Sequence, residues 1–148
     1  MVNSTSTKTK DETVAEPEQK AIPQAAAGMM PVVAPALGWL IPGAGHIIQK
    51  RWIRGLLLLA SIGTAFVLGL LMRGHVYQPN SGDILDMLGF VGDIGAGGFY
   101  IVTRAMDWGQ GVTAFATADY GTKFIIMAGM LNLIAVADAY HIAIGKKP

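Results

Sequence analysis

Residues 55–72 read GLLLLASIGTAFVLGLLM, 18 positions without a charge, bracketed by Arg54 and Arg73. An α-helix rises ~1.5 Å per residue, so the stretch is about 27 Å long, close to the roughly 30 Å hydrocarbon core of a bilayer. A helix on the surface of a water-soluble domain keeps a polar face, and this one has none. The stretch predicts a membrane-spanning helix.

Three further apolar segments flank it. Residues 124–145 carry only Asp138 and His141 as ionisable groups and end at Lys146 and Lys147. Tyr120 and Tyr140 lie near the two ends, where amphipathic rings favour the headgroup region. This is a second expected span. Residues 21–49 lack Lys, Arg, Asp and Glu but contain Pro23, Pro31, Pro35 and Pro42 with Gly38, Gly43 and Gly45. Proline removes a backbone donor and clashes with the preceding turn. A span over 31–48 is therefore expected to be kinked or broken, with a re-entrant helix as the alternative. Residues 87–103 hold Asp93 as their only charge among Gly89, Gly92, Gly95, Gly97 and Gly98. That glycine load weakens a lone helix while permitting close backbone packing. The expected fold class is thus all-α: a polytopic helical membrane protein with four hydrophobic segments, two of them broken or re-entrant.

Composition agrees. Only 14% of the 148 residues are charged, against roughly a quarter in soluble domains, so the surface that water would solvate is largely missing. Residues 1–28 read as a disordered polar tail, lacking the basic start and immediate hydrophobic core of a secretory signal, and residues 29–148 as the membrane domain. With a net charge of +1 and scattered basic residues there is no nucleic-acid footprint, and without cysteine there is no disulfide or thiolate site. If all four segments cross, Lys50, Arg51, Arg54, Arg104 and Lys123 oppose Lys20, Arg73, Lys146 and Lys147. That division leaves orientation open, although the dense Lys50–Arg54 cluster favours a cytoplasmic turn.

Small residues mark packing faces. Ser61, Ala65 and Gly69 repeat every four residues, and Ala128, Asn132, Ala135, Ala139 and Ala143 follow helical spacing. Lipid gives no hydrophobic gain for helix association, so close approach and hydrogen bonds must drive it. The expected partners are the bilayer together with other helices of this chain, a second copy, or a larger membrane protein.

The string GWLIPGAGHIIQKRWIRG, residues 38–55, concentrates turn residues. Pro42, Gly43 and Gly45 allow a sharp bend, His46 follows, and Trp52 with its basic neighbours anchors an interface. His46 reads either as a ligand or proton carrier, or, in the favoured reading, as an interfacial histidine bonded to carbonyls freed at the bend. The string resembles the interhelical turn of the two-transmembrane-domain family, departing from it at Ile47, Ile48 and Lys50. A longer resemblance, over residues 35–147, is to a family of small uncharacterised bacterial membrane proteins known as a domain of unknown function. It rests on WLIPGAGH, LGFVGDIGAGGFY and YGTKFIIMAGMLNLIAVADAYHIAIGKK. The resemblance implies a single domain in a bacterial inner membrane and supplies no reaction.

Asp93 and Asp138 are the strongest functional candidates, because an acid at membrane depth costs a few kcal/mol or more unless paired, neutralised or wetted. Asp138 precedes His141 by three residues, so the two can share a helical face, or Asp138 lies near the interface and caps or pairs with an Arg or Lys. Asp93 reads first as an interhelical hydrogen-bonding residue and second as part of a transport path. Asn132 adds an amide between that pair and Asp93. No zinc-protease, phosphate-loop, nucleophile-elbow or dinucleotide spacing occurs, and His46, His75 and His141 are too dispersed for a metal, so no cofactor is expected. Three functions follow in order: a non-enzymatic packing or assembly component; a small transporter or channel using Asp93, Asn132 and Asp138; and a membrane enzyme using His46 or the Asp138–His141 pair.

Overall fold

A computed structural model describes residues 28–79, 82–111 and 116–146. The expected tail, apart from Gly28, and Lys147 lie outside them. The regular elements are all helices: α1 (Met30–Leu40), α2 (Ala44–Ile48), α3 (Trp52–Leu71), α4 (Ile84–Ile94), α5 (Gly98–Ala105) and α6 (Ala118–Ala143).

Helices α3 and α6, of 20 and 26 residues, are long and apolar enough to cross a membrane. They are the two spans expected from hydropathy, extended at their starts. Arg54 and the polar stretch Asp119–Lys123 lie inside helices rather than beside them, because backbone bonding continues through a polar turn that water can solvate. The pair runs antiparallel. Gly69 lies against Gly121 and Ile125 at one end, while Arg54 approaches Asp138 at the other. Ile62 and Phe66 of α3 meet Ile125, Ala128 and Ala135 of α6 in the core, which Val76 and Ala96 complete.

The small-residue face of α6 is spent inside this chain. Ala128, Asn132, Ala135 and Ala139 are buried and Ala143 is half-buried. On α3 only Gly69 of the expected repeat is fully buried, whereas Ser61 is exposed. The buried line of α3 runs instead through Gly55, Ile62, Phe66 and Gly69.

Neither irregular segment forms one continuous span. The first breaks at Ile41–Gly43, not at Pro35, which α1 accommodates in its interior. Helix α2 then folds back on α1. The alpha carbon of Gly45 packs so closely on the Ala34 carbonyl that a Cβ there would overlap it, and Gly45 also touches Ala139. Because Ala34 and Gly45 share one level of α6 while Trp39 reaches Asn132, further along, α1 enters from the Asp138 end and α2 returns to it.

The second segment bends by 110° between α4 and α5. Helix α4 descends beside α6, Gly92 against Ile126 and Gly129, then Gly95 against Gly129 and Leu133. Helix α5 turns back from α4 with Phe99 beside Gly63 and Phe66 of α3, and the chain after it pairs Gly109 and Gln110 with Val76 and His75. The two hairpins thus enter the fold from opposite ends and meet at its middle.

Their junction is backbone against backbone. Gly97 has φ +60° with ψ −118°, a conformation that only glycine adopts easily, and a Cβ there would overlap the Trp39 carbonyl oxygen. A Cβ at Gly98 would likewise overlap the Leu40 carbonyl oxygen. Helices α1 and α4 have 11 residues each, about 16 Å apiece, so together they approximate the thickness of one full span.

Candidate functional site

The polar residues singled out in the sequence are arranged along α6. Nearest its C-terminal end, the bend at Pro42–Gly43 turns α2 so that His46, 1% exposed, faces α6. Its Nε2 lies 3.1 Å from Asp138 Oδ2, and Arg54 Nη1 lies 3.8 Å from the same oxygen. Toward an ionised carboxylate, which only accepts, Nε2 is the donor of this bond when it carries the ring hydrogen. Gln49 of the same turn donates its amide to the Ala139 carbonyl at 2.9 Å. His46 therefore bonds a carboxylate 92 positions away, not a carbonyl freed at its own bend. For His141 the contact observed is with the Tyr140 ring, 5.9 Å between centroids.

Asn132 sits where the hairpins meet and is fully buried. Its amide nitrogen donates to Trp39 O at 3.2 Å and to Gly95 O at 2.9 Å, one carbonyl from each hairpin. Carbonyls in the last turn of a helix lack intrahelical partners, and α1 and α4 both end at this point. One side chain satisfies both. The Trp39 indole closes the junction by donating to the Ile94 carbonyl at 3.0 Å. Asn132 Oδ1 is buried and receives no hydrogen bond from the described residues.

Asp93, also fully buried, lies one step further toward the opposite end. Its Oδ2 accepts the Tyr77 backbone N–H at 2.7 Å, which ties the loop after α3 into the fold. The Tyr100 hydroxyl donates to the Tyr77 carbonyl at 3.4 Å, and the Tyr77 ring covers Gly89. Burial first, then the negative field of Asp86 and Asp93, pushes the Tyr77 phenol above its ordinary range, so it stays neutral. Asp93 Oδ1 is buried and receives no hydrogen bond from the described residues.

Residues 33–148 match a family of unknown function, DUF6677. The chain belongs to that family. The match covers both hairpins apart from the first three residues of α1, both long helices and every polar group described above. No curated protein and no solved structure matches the chain.

The structure thus brings His46 to Asp138 and places Asn132 and Asp93 in sequence along α6. Trp39, Gln49, Arg54, Tyr77 and Tyr100 complete these contacts and were not singled out from sequence. Trp39 carried a usable signal, since a tryptophan beside a Pro-Gly break needs an acceptor for its N–H. The Tyr77 contact carried none, because it is made by a backbone group.

Proposed function

We propose that this protein is a non-enzymatic component of a bacterial membrane that works by packing with itself or with a larger membrane partner. The observation behind this reading is the use to which its intramembrane polar groups are put. His46 with Asp138, Asn132 with Trp39 and Gly95, and Asp93 with Tyr77 each bond one piece of the chain to another. Groups spent this way fix a shape. The bacterial setting rests on the resemblance noted in the sequence.

Crosslinking in native membranes tests it. Discrete higher-mass products at short linker lengths are expected, and recovery of the free monomer alone at every linker length defeats the reading.

A second reading, a small transporter or channel, is favoured by one specific observation. Asn132 Oδ1 and Asp93 Oδ1 are buried acceptors without a donor from the described residues, both beside α6 and near the breaks of re-entrant hairpins. Broken helices at mid-depth are where transporters bind ions. Purified protein in liposomes should then carry a proton or small-ion flux that Asp93→Asn and Asp138→Asn reduce. No flux from the unmodified protein removes this reading.

A further inference from the structure

Two clefts that share Val67 open beside α3, one against the chain after α5, residues 107–111, and one against Phe99 of α5. The upper one, about 560 Å³, is lined on its apolar side by Leu70 and Leu71 and on its polar side by Arg73, Asp107, Trp108 and Gln110. The lower one, about 450 Å³, continues past Ala60, Gly63 and Thr64 with Phe99 as one wall. Arg73 to Leu59 is 14 residues of chain, so the joined groove runs about 21 Å along α3, somewhat deeper than one leaflet. Its small-residue floor leaves space that side chains elsewhere on α3 fill.

The mouth has a particular charge arrangement. Arg73 and Asp107 both line it, yet among the described residues no ion pair joins them. Asp107 accepts a hydrogen bond from the Gln110 amide. The exposed Trp108 indole beside them is suited to the headgroup level. Polar at the bilayer surface and apolar below, the groove complements an amphiphile, and opposite charges on the rim complement a zwitterion.

We infer that this groove holds a phospholipid with an amine-bearing headgroup, its phosphate on Arg73, its ammonium on Asp107 and one acyl chain lying past Val67 to Gly63. The inference is independent of either reading of function above. Arg73 supplies planar donors that match phosphate oxygens, and the apolar cleft below accommodates an acyl chain.

Native mass spectrometry of the detergent-solubilised full chain provides the test, with phosphatidylethanolamine, phosphatidylcholine and phosphatidylglycerol of matched chains added in turn. Phosphatidylethanolamine is expected to bind one to one and about fivefold more tightly than phosphatidylglycerol, the scale of one exposed-to-half-buried ion pair. Asp107→Asn should bring the two lipids to parity, Arg73→Gln should weaken both, and Gly63→Leu should block the chain without touching the mouth. The rim residues are exposed, so their variants should unfold at the temperature of the unmodified protein. Equal binding of all three lipids to unmodified protein and variants, or a preference for phosphatidylglycerol that Asp107→Asn leaves unchanged, overturns the inference.

Discussion

At the scale of single residues, Asn132 and Gly97 decide the junction in different ways. Asn132→Leu keeps the branched shape, at a larger volume, but removes the amide that donates to two buried carbonyls, Trp39 O and Gly95 O. Interhelical bonds in membranes average well under 1 kcal/mol and reach about 1.7, so the pair predicts a loss of about 1–2 kcal/mol. Denaturant unfolding in detergent measures it, and an unchanged midpoint would contradict the role assigned to the amide. Gly97 is tested against Gly145. Both have positive φ, +60° and +73°, but a Cβ at Gly97 overlaps the Trp39 carbonyl while nothing lies within 4 Å of one at Gly145. Gly145→Ala should cost only its backbone strain, about 1 kcal/mol, whereas Gly97→Ala should abolish the folded species in thermal melts. Equal effects would mean that the two hairpins do not touch as described. Among these residues, the sequence marked Asn132 and Asp138 as polar groups that need partners. It could not name the partners, because His46 and Asp138 are 92 positions apart and hydropathy carries no information about which segments become neighbours.

At the scale of elements, the two long helices were legible from uncharged length alone, and the breaks from Pro42–Gly43 and the 92–98 glycines. The direction of the chain after each break was not. A Pro-Gly bend permits a kinked crossing or a reversal equally, and the choice is made by tertiary contacts: Gly45 on Ala34 for the first, Gln110 beside His75 for the second. The consequence is measurable because the chain has no cysteine of its own. Asp83→Cys and Trp108→Cys, at the two ends of the α4–α5 hairpin, should react with a membrane-impermeant thiol reagent from the same side. A crossing helix would put them on opposite sides, so labelling from different faces would contradict the hairpin.

For the whole molecule, two hairpins that reverse change the charge count that decides orientation. With four crossings the basic residues divide five to four. With two, Lys50, Arg51, Arg54 and Lys146 gather at one end and Arg73, Arg104 and Lys123 at the other, among the described residues. Four against three, with three of the four in the dense Lys50–Arg54 turn, favours the first end in the cytoplasm. In intact cells Lys146→Cys is therefore expected to stay unlabelled until the membrane is permeabilised, while Trp108→Cys labels at once. The reverse pattern would mean that charge does not set the orientation of this fold.

The column formed by α1 and α4 also has a timetable. Its lower half is synthesised first, and the Trp39 carbonyl lacks the backbone packing of Gly97 and the amide of Asn132 until they have been made, the latter 93 positions after Trp39. The first hairpin is therefore expected to lock into place only once α6 has been made, and a chain truncated before Asn132 should be cleared as unfinished rather than persist as a smaller membrane domain.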